Sequence, residues 1–289
     1  MTERRIAGVL ISPAMTLFVV LLAGPTVAVF ALSLTNWQLG SSTLAFIGID
    51  NYAQLFTDRV FWKSFGNTFL YCLVVVPGSV FLGLGLALLI ESLSFGRGFY
   101  RAAYFLPVTS TLIAMAVVWE FLLHPTVGLV NLTFEAFGLK GTDWLKNPDT
   151  ALFTLAGIGI WQSAGLNMVL FMAGLKAIPA DLYEAAEIDG AASSWERFRC
   201  VTWPMLGPAT LFVTVVSGIR SFQVFDTVEV LTKGGPNKAT EMLLYTMYTE
   251  AFNFFRTGYG AAITVVFLAI VLVLTLLQVR FGEKRTHYG

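Results

Sequence analysis

Charge is scarce in this sequence. Only 12% of the 289 residues are charged, about half the share found in soluble domains, so water is not the chain's main solvent. What charge there is cancels, with 18 lysines and arginines against 18 aspartates and glutamates. No basic surplus is left for a phosphate backbone, which excludes nucleic acid as a partner. The two cysteines, Cys72 in an apolar run and Cys200 in a polar stretch, fit neither a disulfide framework nor a metal-ligand spacing. No Gly-x-x-x-x-Gly-Lys-Ser/Thr sequence occurs, so the chain has no ordinary cradle for a nucleoside triphosphate. No cofactor or metal is expected on this chain, and no internal repeat or low-complexity tract is evident.

What fills the sequence instead is apolar. Hydrophobic residues make up 56% of it, and six runs approach the roughly 20 residues that a 30 Å hydrocarbon core demands. They cover about Ile11 to Leu32, Thr68 to Ile90, Ala102 to Leu123, Ala151 to Leu175, Met205 to Val224 and Gly260 to Val279. Inside a bilayer the backbone must satisfy its own hydrogen bonds, and these runs lack a barrel's alternation. The expected fold class is all-α, a polytopic membrane protein with six transmembrane helices in a single domain, 1–289. Arg4 and Arg5 precede the first run as in a secretory signal, but its length marks it as a retained span.

An even number of spans puts both termini on one side, and basic residues tell which. Arg4, Arg5, Arg97, Arg101, Lys176, Arg197, Arg199, Arg280, Lys284 and Arg285 share one face, read as cytoplasmic. Arg59, Lys63, Lys140, Lys146, Lys233, Lys238 and Arg256 spread over longer loops on the other. In those outer loops, turn residues from Phe46 to Tyr52 lead into a helix-like run to Phe56, and Gly234-Gly235-Pro236-Asn237 breaks the chain. Trp37, Trp62, Trp119, Trp144 and Trp161 include interface anchors. Glu120, beside Trp119, is read as structural.

A polar stretch, about 177–204, joins the fourth and fifth spans. Asp181 with Glu184, and Ser193 with Glu196, each repeat the spacing of a capping box. The expected object is two short helices hinged at Gly190, the second stopped by Pro204, lying in a groove of a soluble partner as amphipathic helices do. Glu184-Ala185-Ala186, then Asp189-Gly190-Ala191, then Phe198, Pro204 and Pro208, resemble the "EAA" coupling loop of binding-protein-dependent ABC importer permeases. The resemblance extends to the Phe46–Phe56 loop, Gly96 to Arg101 with Leu106-Pro107, and Ser221 to Asp226 with Leu231 to Pro236. These features resemble the carbohydrate-uptake branch, in subunits like the maltose and glycerol-3-phosphate permeases, without the extra N-terminal helices of the enteric maltose subunit.

The resemblance implies an ABC type I importer permease fold in the bacterial inner membrane, with both termini cytoplasmic and lipid around the spans. It implies that Glu184, Ala185, Ala186, Asp189, Gly190 and Ala191 couple to an ATPase. The partners it implies are a second, non-identical permease, two copies of an ABC ATPase that use ATP and Mg, and an extracytoplasmic solute-binding protein delivering a small solute. The chain itself would be no enzyme.

Polar groups within spans are costly and point to a pathway. Gln162, Ser163 and Asn167 lie on the fourth span; Arg220, Gln223 and Asp226 recur every three residues at the fifth, interleaved with Phe222 and Phe225. Amides beside aromatic faces suit a sugar, while bonding between neighbouring helices suits the same groups equally. Asp226 lies six residues beyond Arg220, so the two pair only if their side chains bend toward each other or the helix breaks between them; left unpaired, Arg220 would favour an anionic glycoside or glycerol phosphate. An ion-coupled secondary transporter would need charged relays and inverted repeats, which are not evident. A non-transporting scaffold is the remaining alternative.

Overall fold

A computed structural model describes residues 3–283, and among them it contains helices and no strand, as expected. Lys284 and Arg285, counted toward the cytoplasmic charge, lie outside the described residues, as do the side chains of Arg4 and Arg5. The helices gather into two compact units.

The first unit comprises the chain up to Trp62 together with Thr246–Ala269. Helix α1, Glu3–Phe18, runs through a π-helical turn at Val19–Ala23 into α2, Gly24–Leu32. Together they supply the first span, Leu10–Leu32, whose apolar window buries none of its residues in the protein. The Phe46 to Tyr52 loop feeds α3, Asp50–Thr57, and its chemistry is specific. The buried Asn51 amide donates to the carbonyls of Ser33 and Thr35, both at 2.8 Å, satisfying backbone acceptors in the turn that follows α2. The hydroxyls of Tyr52 and Ser33 meet at 2.7 Å. In the same unit, Asp58 takes the Val60 N–H at 2.7 Å and the Tyr259 hydroxyl at 2.7 Å. Arg256 pairs with buried Glu250 and lies over the Tyr259 ring, 4.9 Å from its centroid.

The second unit holds Lys63–Tyr245 and the end of the chain. Helix α4, Arg59–Ser92, is the second span. The third departs from the expectation of one straight helix: α5, Arg97–Thr109, and α6, Leu112–Leu122, meet at 103°. Pro107 sits near the break, and the hydroxyls of Thr109 and Ser110 both donate back to the Leu106 carbonyl, at 2.9 and 3.1 Å. Side chains there compete with the helical ladder, and Ser110 and Thr111 turn extended.

After α7, Leu129–Ala136, comes the fourth span, α8, Ala151–Lys176. Buried Asn131 on α7 organises the connection: it donates to the carbonyls of Pro125 and Thr142 and accepts from the Thr142 N–H and the Trp144 indole. Helices α9, Ala180–Ile188, α10, Ser194–Arg197, and α11, Trp203–Met205, form the polar connection, with a π-helical turn at Phe198–Thr202. The fifth span, Gly207–Leu231, consists of α12, Gly207–Phe222, and α13, Asp226–Leu231, with a break between them. Next come α14, Leu243–Tyr248, a π-helical turn at Thr249–Asn253 and the last span, α15, Thr257–Glu283. Among the described residues, five helical segments are thus long and apolar enough to cross a membrane, and six spans result when the bent α5–α6 pair counts as one.

Candidate functional site

Where the two span breaks meet α8, the second unit forms a partly open cavity of about 440 Å³, within the range of small-ligand sites. Each break contributes backbone and side chain that a straight helix would have turned elsewhere. From the α5–α6 corner come Ser110 and Thr111; α8 adds Gln162 and Ser163, and the α12–α13 break adds Arg220, Gln223, Phe225 and Asp226. At that break α12 unwinds at Gln223, and Phe225 takes φ −140° and ψ −58°. The break that would let Arg220 meet Asp226 therefore exists. Even so, they form no ion pair, and neither side chain has a hydrogen-bond partner among the described residues.

Two residues expected in this pathway are placed elsewhere. Asn167 is 1% exposed, and its Oδ1 accepts from the Ser217 hydroxyl at 3.1 Å, which ties α8 to α12. One helical turn from Ser163, it faces the helix junction, where α4 comes close enough that a Cβ on Gly83 would stand 2.6 Å from the Asn167 Cβ. Phe222 is buried in an apolar pocket with Phe69, Leu73, Pro77 and Leu274. It is the last residue of α12 before the break, so it keeps the helical direction that Phe225 loses.

The polar connection is more ordered than two helices and a slack hinge. Helix α9 ends in a Schellman arrangement: the Gly190 N–H reaches the Glu187 carbonyl at 3.2 Å and the Ala191 N–H reaches Ala186 at 2.9 Å. Gly190 takes φ +98°, a conformation that glycine adopts without strain. Ser193 and Glu196 form the full capping box, at 3.1 and 2.8 Å. The Ser193 backbone N–H at the carboxylate holds the Glu196 pKa below its ordinary value.

Two expectations for this segment are corrected. The N-cap of α9 is Pro179, without a side-chain bond, and Asp181 lies one residue inside the helix, where it complements the macrodipole and does not cap. Pro204 does not stop the second helix: the π-helical turn shifts the hydrogen-bond register, and Pro204 falls in the first turn of α11, where no N–H is required.

Ala185, Ala186, Asp189, Gly190 and Ala191 line an open groove with Leu182 and Cys200, while Glu184 is exposed outside it. Ile188 and Trp195, 86% and 69% exposed, stand on the same segment. Its inner side belongs to the span core. Tyr183, Ala186 and Phe198 pack against the core cluster that includes Val80, Leu84, Met168, Phe171 and Leu206, and the hydroxyls of Tyr183 and Thr202 meet at 3.0 Å. Helix α9 thus packs into the same close-packed core as α4 and α8. Asn51, Asn131 and the Gly83 contact escaped the sequence reading, because their partners are backbone or side-chain atoms that no local pattern announces.

Residues 79–287 match the family described as "Binding-protein-dependent transport system inner membrane component". The chain is 33% identical to the trehalose/maltose transport system permease protein MalF of Thermococcus litoralis, over 98% of this chain and 95% of that protein. It is 34% identical to the sn-glycerol-3-phosphate transport system permease protein UgpA of Agrobacterium fabrum, over 84% and 83%. In structure it is similar to a chain of a bacterial alginate ABC transporter solved in complex with an alginate pentasaccharide-bound periplasmic protein. That match has a TM-score of 0.84 at 21% identity and covers 98% and 96% of the two chains. The ABC importer permease fold expected from the sequence is the fold observed.

Proposed function

Since the chain belongs to the family of binding-protein-dependent transport system inner membrane components, we propose that it forms half of a sugar translocation pathway. The observation that carries this reading is the cavity at the two span breaks, where Gln162, Ser163, Gln223 and the Phe225 ring face one space. Amides and hydroxyls match a solute's hydroxyl groups, and an aromatic face stacks against a sugar ring. Relatives named for trehalose, maltose and glycerol-3-phosphate transport support a sugar or sugar-like solute.

In this reading a second, non-identical permease supplies the other half, an extracytoplasmic binding protein delivers the solute, and both termini are cytoplasmic. Two copies of an ATPase bind ATP and Mg and dock on the groove around Gly190. Closing of the ATPases shifts α9, and the packing of Tyr183, Ala186 and Phe198 on the spans carries that shift toward the cavity as a rigid-body step. Solute biases the equilibrium only through its differential affinity for the two states.

Substituting Gln162 and Gln223 by alanine tests the cavity's role. In proteoliposomes holding the assembled transporter, each change is expected to lower ATP-dependent uptake about tenfold, the effect of one lost polar contact, with the complex still assembled. Full uptake by both variants would contradict the assignment of this cavity to the solute.

A further inference from the structure

Arg220 and Asp226 are the charged residues that line the cavity, one of each sign, so the charge of its described lining is zero. Opposite charges in a membrane-embedded cavity ordinarily pair, because each is costly alone. These two do not, and the helix ends explain why. Arg220 lies in the last turn of α12, where the macrodipole and free carbonyls favour a cation, and Asp226 opens the first turn of α13, where free N–H groups favour an anion. Each charge is held by its own helix, and each is exposed toward the cavity.

We propose that Arg220 and Asp226 form a charge-balanced clamp that admits a neutral polyhydroxylated ligand and disfavours both anionic and cationic ones. This inference rests on the reading that the cavity receives the solute. A sugar hydroxyl both donates and accepts, so a neutral sugar satisfies the guanidinium fork and the carboxylate together as water leaves. A carboxylated sugar satisfies Arg220 but sets a like charge against Asp226, and an amino sugar does the reverse. In a partly dry cavity such like-charge contacts are strong. Arg220 acting alone would select anions; Asp226 in the same space cancels that preference.

The test uses the assembled transporter in nanodiscs without its binding protein, so that the delivery protein's own selectivity does not enter. Equilibrium binding of glucose, glucuronate and glucosamine is compared at mildly acidic pH, where the amine is charged. The original assembly is expected to rank glucose first. Asp226→Asn should raise glucuronate relative to glucose by about tenfold or more, and Arg220→Gln should raise glucosamine likewise. The double variant should regain the glucose-first ranking with weaker binding. Asp226→Glu and Arg220→Lys preserve charge and should keep that ranking; its loss in them would overturn the clamp. So would an unchanged ranking in both neutralised variants with binding retained, the result expected if these residues only stabilise helix ends. A preference of the original assembly for glucuronate would overturn it in favour of Arg220 alone. Binding of no sugar by the original assembly would overturn the solute reading of the cavity, and the clamp with it.

Discussion

At Gly190 one residue does what the neighbouring sequence cannot. Its φ of +98° lets the Schellman bonds close α9 and sends the chain toward the Ser193 cap. A Cβ there would meet nothing within 4 Å, so the cost of substitution is backbone strain alone, about 1 to 3 kcal/mol. Gly190→Val is therefore expected to misplace the α9–α10 turn and cut ATP-dependent uptake at least about tenfold, while insertion into the membrane is retained. Uptake by the variant equal to that of the original complex would contradict the assigned role. The glycine was legible in the sequence because a chain breaker stood between two cap-like patterns. Asp181 shows the limit of such patterns: Asp181 and Glu184 have the spacing of a capping box, but Pro179 begins the helix two residues earlier.

Among elements, α8 lines the cavity together with three other spans, α4, the α5–α6 pair and the α12–α13 pair. Its approach to α4 is set by Gly83, where an added Cβ would lie 2.6 Å from the Asn167 Cβ and 3.0 Å from the Met168 backbone nitrogen. Two residues on, a Cβ at Gly85 would meet nothing within 4 Å. Gly83→Ala should destabilise the protein by about 1 to 3 kcal/mol through overpacking and lower its thermal unfolding midpoint in detergent, whereas Gly85→Ala should leave the midpoint nearly unchanged. Equal midpoints for the two variants would refute the close α4–α8 contact.

The six apolar runs were legible from length and hydropathy alone, and for the first, fourth and sixth both ends fall within three residues of the observed ones. The second run fell furthest short of its helix, because α4 begins nine residues earlier, at Arg59. The break in the third was not legible: Thr109, Ser110 and Thr111 look like tolerable polar residues in an apolar run, and only the paired bonds to the Leu106 carbonyl reveal a corner. Likewise Asn167 and Phe222 were expected at the cavity from their spacing, but Asn167 is turned into the junction with α12 by the Ser217 hydroxyl, and Phe222, still helical before the break, sits in the apolar pocket beside Phe69 and Pro77.

For the whole molecule, the identity of the transport family was legible because the segment from Glu184 to Pro208 carries a pattern of its own. What surrounds the solute was legible only in part, since the cavity is made by two span breaks brought together from distant parts of the chain. The first unit shows the same division. A turn-forming loop from Phe46 to Tyr52 was evident, but the Asn51 clamp on Ser33 and Thr35 that gives it a reason depends on tertiary contact. Ala186 of the groove packs into the core cluster that holds Met168 and Phe171 of α8, and the same helix carries Gln162 and Ser163 to the cavity. The proposed mechanism, in which ATP acts at the groove and solute moves at the cavity, uses that shared helix. The most direct measurement is uptake of a binding-protein-delivered sugar into proteoliposomes containing this chain, its partner permease and the ATPase, with Glu184→Lys as the matched variant. Uptake is expected to require ATP and all four components, and to fall at least about tenfold in the variant as the ATPase is displaced. Uptake driven by an ion gradient without ATP, or undiminished when this chain is left out, would contradict the account.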